Sequence, residues 1–226
     1  MRRTLALSLA LSLSLGLLSG CGPAAPAVQA QELTAQPVSV QPAGSPAVDQ
    51  ALTSFGLSLL QSAREAESDP VLLSPLSAAL ALSMAANGAD GDTLAQFETV
   101  LGGGVTLDEL NAACAQLLSD YGDLDGSTEC LIANSLWTDP EGMIREDFIG
   151  KCQGIFDAQV FSQDLSAPSV VPAVNSWVSD HTNGMIPSIL SEPFNENAAL
   201  LLVNALYLKN TWETEFDPNN TYLRGF

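Results

Sequence analysis

The side chains that could form a catalytic centre are few and poorly matched in this sequence. The single histidine, His181, stands next to Asp180 at the end of a predicted helix. The chain has no Gly-x-Ser-x-Gly or Ser-x-x-Lys sequence, so no serine lies at a spacing that nucleophilic catalysis uses. The zinc motif HExxH is also missing. We therefore expect no enzyme activity, and we interpret His181 as a polar residue that ends a helix.

The cysteines do not indicate a metal or redox site. Cys114, Cys130 and Cys152 are far apart, and no pair has the CxxC spacing. Their odd number argues against a complete disulfide framework. Because Cys114 and Cys152 fall on the apolar stripes of predicted helices, we expect both to be buried free thiols. No cofactor and no metal are expected.

The first residues resemble a bacterial export signal. Two arginines precede an apolar stretch over residues 5–18, which is too short and too rich in serine for a good membrane-spanning helix. The Leu-Ser-Gly-Cys sequence that ends at Cys21 is similar to the lipobox, in which the cysteine is lipidated. We predict a lipoprotein signal peptide over residues 1–20 and lipidation at Cys21. An ordinary signal peptide with an incidental cysteine is the alternative.

Residues 21–45 are rich in Pro, Ala and Gln and lack sustained periodicity. This composition predicts a flexible tether that precedes one domain over residues 46–226. The protein is thus expected to be exported and held by its lipid at the bacterial cell surface or in the extracellular space.

The charge of the chain excludes several classes of partner. Its formal net charge is −19, and a surface of this sign repels phosphate groups and other polyanions. We therefore expect no nucleic acid partner and no polyanionic cofactor, and contact with the membrane only through the lipid anchor.

Hydrophobic periodicity predicts a chain of helices followed by alternating strands and helices, which is typical of an α+β fold. Ser74-Pro75 is a helix start, and capping boxes are predicted at residues 93–96 and 106–109. The apolar run 198–208 fits helix or strand equally well. Helices are predicted over 47–65, 75–87, 94–101, 107–117, 148–155 and 170–178, and strands over 71–73, 130–137 and 158–165.

Five stretches of the sequence resemble the serpin family, in the family's order and at similar separations. Each motif is weak alone, whereas five in order are a specific signal, and they cover the chain from about residue 46 to its end. They are VLLSPLSAALALSMAANGA from Val71, Gly91-Asp-Thr93 with Gln96, Ala133-Asn-Ser-Leu-Trp137, Asn175-Ser-Trp-Val178 with Thr182-Asn-Gly184, and Leu202-Val-Asn-Ala-Leu-Tyr-Leu-Lys209 with Trp212 and Phe216-Asp-Pro218.

The resemblance implies a serpin-like α+β fold with the helix A–F region and strands 1–3 of the main sheet A. It implies that residues 198–208 form a strand. Ser74, Ser77 and Asn204 match the "shutter" beneath the strands of this sheet that move apart. Trp212 matches the "breach", where an inserting loop first enters. Taken without the family, Ser74 is explained as a helix cap and Trp212 as a core residue.

The resemblance also implies a function. Serpins inhibit proteases by inserting a cleaved reactive loop into sheet A, which is itself an established example of strand addition. The implied partner is a target protease of the serine class, or less typically of the cysteine class. A non-inhibitory binding module on the cell surface is the alternative. Because the family's reactive loop follows the matched region, we expect residues 1–226 alone to inhibit no protease.

Overall fold

The helices and strands follow closely from the hydrophobic pattern. The computed structural model describes residues 30–67, 69–122, 124 and 128–223. Six helices and a four-stranded mixed sheet in these residues confirm the predicted α+β fold. The elements are β1 (Gln31–Leu33), α1 (Pro46–Ala66), α2 (Pro75–Ala86), α3 (Gly91–Gly102), α4 (Leu107–Gly122), β2 (Glu129–Thr138), α5 (Glu146–Phe156), β3 (Ala158–Ser162), α6 (Val170–Asp180) and β4 (Leu200–Lys209), with a short 3-10 turn at Pro218–Asn220.

The strand order in the sheet is β1-β3-β2-β4. β2 and β3 are parallel, because α5 carries the chain across between them. β4 is antiparallel to β2 along its whole length, from Glu129 opposite Lys209 to Thr138 opposite Leu200. The run that periodicity left ambiguous is thus a strand, as the resemblance implied.

The two faces of the sheet are buried in different ways. Even-numbered residues of β2 and β4, such as Leu136 and Leu202, pack into the larger core, which α1 to α5 supply. Odd-numbered residues, such as Trp137 and Val203, face a second core beneath α6. Since successive strand residues point to opposite faces, this alternation fixes which side each polar residue of β2 and β4 lies on.

The first turns of α3 and α4 show which of the two predicted capping boxes is correct. Thr106 and Glu109 form the predicted capping box: the Glu109 amide donates to Thr106 Oγ1 at 3.3 Å, and the Thr106 amide donates to the Glu109 carboxylate at 2.9 Å. The box predicted at Thr93 is wrong. α3 begins earlier, because the Asp90 carboxylate accepts from the Gly91 amide at 2.7 Å and takes the cap position.

Two further predictions need correction. The apolar run 71–73 joins no strand within the described residues, so it is not a strand there. The predicted flexible tether is wrong over residues 30–43. Its residues 31–33 pair with β3 as β1, and the Val38 amide donates to the Gly150 carbonyl. Residues 1–29, including the predicted signal peptide and Cys21, lie outside the described part.

The predicted state of two thiols is confirmed. Cys114 and Cys152 are free and buried on α4 and α5. Burial raises the pKa of Cys114 to about 11 and that of Cys152 to about 12. Since the thiolate is the reactive form, both should resist alkylation in the folded protein.

We expect iodoacetamide at pH 8 to label Cys114 and Cys152 only after denaturant is added. Site-resolved mass spectrometry of the alkylated peptides measures this directly. Cys130, half-buried on β2, is the internal control and should be labelled faster than either. Rapid native labelling of Cys114 or Cys152 would contradict the burial described above.

Candidate functional site

Two asparagines meet at the centre of the sheet. Asn134 on β2 and Asn204 on β4 are register partners, and both lie on the face that packs against the larger helical core. Asn204 Nδ2 donates to Asn134 Oδ1 at 2.8 Å, and Asn134 Nδ2 donates to the carbonyl of Phe156 at 2.8 Å. A short chain of amides therefore links β4, β2 and the end of α5.

One polar atom of this pair is left without a partner. Asn204 Oδ1 is buried and accepts no hydrogen bond within the described residues. A buried acceptor in this state destabilises a fold by about 1–3 kcal/mol. The carbonyl of this amide is thus ready to accept a donor from a group that lies next to β4.

The two serines of the predicted shutter are hydrogen-bonded to each other and, within the described residues, do not join this amide chain. Ser74 caps α2, where its Oγ accepts from the Ser77 amide at 3.3 Å and lies 2.8 Å from Ser77 Oγ. α2 packs against β4. Among the described hydrogen bonds, neither serine contacts Asn204. The structure therefore joins Ser74 to Ser77, and the shutter-like grouping of these serines with Asn204 stays a prediction.

β4 has one open edge. It pairs with β2 on one side, and within the described residues no strand pairs with its other side. Unpaired backbone groups at a strand edge can pair with a further strand.

Trp212 follows the end of β4 and is 70 % exposed. Its ring meets that of Phe216 edge to face, with centroids 5.6 Å apart, and Phe216 is exposed as well. The reading of Trp212 as a core residue is therefore wrong for the described chain. The aromatic pair forms an apolar surface beyond the end of the open strand, which leaves the breach-like role a prediction.

α6 covers the other face of the sheet. Trp177 packs in the second core and its Nε1 donates to Gln159 Oε1 on β3 at 2.7 Å. His181 caps the helix as predicted: its Nδ1 lies 2.7 Å from the Trp177 carbonyl, and its ring stacks on Trp177 at 4.2 Å. These contacts explain His181 as part of the helix end.

Asn134 is the site residue that the sequence reasoning missed. From the sequence, Asn134 is placed only in a strand motif. In the structure, Asn134 is the hydrogen-bond partner of Asn204 and the link to α5. The signal that could have found it is the one that singled out Asn204, a polar residue inside an apolar strand.

Comparison with known proteins places this architecture in one family. The family model described as Serpin (serine protease inhibitor) matches residues 50–226. Iripin-8 of Ixodes ricinus is 33% identical over 179 residues, which cover 76% of this chain and 44% of that protein. Neuroserpin of Gallus gallus is 34% identical over 174 residues, covering 74% of this chain and 41% of the relative. The chain thus spans less than half the length of these curated relatives.

Solved structures agree. The native state of tengpin, a thermophilic serpin, superposes with a TM-score of 0.73 at 30% identity, covering 85% of this chain and 50% of that one. A loop C-sheet serpin polymer gives 0.72 at 30% identity, covering 82% and 49%. The sheet order, the helix that lies across it and the sequence match all lead to one assignment. This chain belongs to the serpin family, whose members are generally protease inhibitors rather than enzymes.

Proposed function

We propose that this chain is part of an inhibitor of serine-class endopeptidases, which acts by inserting its cleaved reactive loop beside β4. The observation that carries the proposal is the match of the serpin family model to residues 50–226, and β4 has an edge with which no strand pairs within the described residues. An extended loop that adds there gains a ladder of backbone hydrogen bonds.

The amide chain supports this role. Asn204 Oδ1 is buried without a donor, while Asn204 Nδ2 is already held by Asn134. A donor from a strand or side chain placed beside β4 would remove this deficit. The pair therefore favours a donor next to β4, and its hydrogen bonds link that position to β2 and α5.

The test is to incubate the full-length protein with trypsin-, chymotrypsin-, elastase- and subtilisin-like enzymes. An inhibitor of this type forms an acyl-enzyme, so we expect a complex with at least one of them that survives boiling in detergent. The control is the same enzyme with its active serine blocked, which should give no complex. Cleavage of the protein without a complex would contradict inhibition and favour a non-inhibitory binding module.

We further propose that lipidation at Cys21 anchors the protein at the cell surface. In the part of the chain that the structure describes, no helix has the length and apolar character needed to cross a bilayer. Cys21 stands where the apolar stretch of a lipoprotein signal ends.

Expression in a bacterial host tests the anchor. We expect Cys21→Ala to move the protein from the membrane fraction to the soluble fraction, because the lipid is the proposed attachment. Cys130→Ala is the matched control and should stay with the membrane. Mass spectrometry of the mature N-terminus that shows an unmodified cysteine, or cleavage elsewhere, would contradict lipidation.

A further inference from the structure

The surface of α5 is shaped to receive an extended segment of chain. α5 is a helix of eleven residues that contains both Gly150 and Gly154. Each interior glycine weakens a helix by about 1 kcal/mol relative to alanine. The two glycines lie four positions apart and therefore on the same face of the helix. The backbone of residues 36–38 lies directly against both glycines. A β-carbon at Gly150 would collide with the Gln36 carbonyl, and one at Gly154 would collide with the Val38 carbonyl and amide.

A third residue of this face recognises the main chain of the same segment. The side chain of Gln153 donates through Nε2 to the Leu33 carbonyl at 2.9 Å and accepts through Oε1 from the Ala35 amide at 2.9 Å. The Val38 amide donates to the Gly150 carbonyl at 2.9 Å. Gln153 thus offers the segment the same donor and acceptor pair that a neighbouring strand would offer.

The segment continues the sheet at one end and reaches α4 at the other. Gln31 to Leu33 pair with the outer edge of β3, opposite Ser162 to Val160. The Ala43 amide donates to the Ala112 carbonyl at 3.1 Å. Leu33, Ala35 and Val40 pack against the larger core. Of the residues between them, Val38 is half-buried, and the others are exposed. The hydrogen bonds that hold residues 30–43 to the domain engage their backbone, and the segment precedes the residues that the family model matches.

We propose that the α5–β3 surface is a peptide-binding groove that reads the backbone of an extended segment, and that residues 30–43 of this chain are its occupant. The groove recognises a backbone with free amides at the positions of Ala35 and Val38 and with apolar side chains facing inward at the positions of Leu33, Ala35 and Val40. This proposal does not depend on protease inhibition.

The first experiment uses the full-length protein and hydrogen exchange measured by mass spectrometry. Gly154→Ala and Gln153→Ala should each speed exchange in residues 31–40 at least tenfold and leave α2 and β2 unchanged. The matched controls are Gly122→Ala and Gln116→Ala on α4. A β-carbon at Gly122 would contact no atom within 4 Å, and the side chain of Gln116 donates to Asp120 within the same helix. Unchanged exchange in residues 31–40, or equal loss of protection across the whole domain, would overturn the proposal.

The second experiment supplies the segment separately. A labelled peptide of residues 30–43 should bind a shortened protein, which is the full-length protein with residues 30–43 deleted. It should not bind the intact protein, whose groove is filled. Gly154→Ala in the shortened protein should weaken binding at least tenfold. Val38→Pro in the peptide should also weaken binding at least tenfold, because proline has no amide hydrogen to donate to the Gly150 carbonyl.

Two outcomes would overturn the assignment of the occupant. Equal binding of the peptide to the intact and shortened proteins would show that the groove is not its site. Protection of residues 31–40 that rises with protein concentration would assign the occupant to a second copy of the chain. Should the shortened protein fail to fold, the exchange experiment on the full-length variants decides the question alone.

Discussion

Replacement of Trp137 by alanine is expected to lower the free energy of unfolding by about 4 kcal/mol, within the range for large aromatic residues removed from cores. Trp137 is 2 % exposed and stacks on Phe161 with ring centroids 4.3 Å apart. Its Nε1 donates to Ser135 Oγ at 2.9 Å, so the change also leaves a buried hydroxyl without this donor. The cavity would open between the sheet and α6.

Urea unfolding followed by circular dichroism measures the effect without relying on the fluorescence of the removed indole. Trp212→Ala is the matched control, because the same side chain is removed from an exposed position. Its effect should stay within about 0.5 kcal/mol. An equal loss in the two variants would contradict the assignment of Trp137 to the core beneath α6.

Asn134→Asp is expected to lower the free energy of unfolding by about 3 kcal/mol at pH 7, because it places a carboxylate where a buried amide donates. The substitution keeps the shape of the side chain but sets an acceptor against the Phe156 carbonyl, 2.8 Å from the lost donor. The position is 2 % exposed, so water cannot replace the bond.

The pH dependence distinguishes this cause from a simple loss of packing. Burial and the repulsion between the carboxylate and the Phe156 carbonyl raise the pKa of the new carboxyl in the folded state above its unfolded value, although Asn204 Nδ2 can still donate to it. The destabilisation is therefore present above the folded pKa, and it shrinks as the pH falls towards the unfolded pKa, because the protonated acid can donate again. Asn197→Asp, at an exposed position, is the control and should show no such recovery. A loss that is independent of pH would contradict the role of the amide donor.

Much of the fold could be predicted because its signals are local. Capping residues such as Thr106 with Glu109, and apolar stripes such as that of α6, depend on neighbours three or four positions away. The resemblance added what periodicity could not, namely that residues 198–208 form a strand.

The parts that could not be predicted depend on distant partners. β1 is three residues long and contains Glu32, so it has no pattern of its own; it is a strand only because β3 lies beside it, more than a hundred residues later. Proline-rich composition made the same region resemble a tether. Asn134 gained its role from its register with Asn204, which the order of the strands determines and the local sequence does not.

The docked segment also limits how far the domain can stand from the lipid anchor that we propose at Cys21. With residues 21–45 free, the lipid and the domain could separate by roughly 85 Å, whereas the nine peptide steps from Cys21 to Ala30 span roughly 30 Å at most. The chain enters the sheet at β1, and the open edge of β4 lies at the opposite end of the strand order. A protein held by the proposed lipid at Cys21 would therefore keep the β1 edge of its sheet within a short radius of the bilayer and place the β4 edge three strands farther along the sheet.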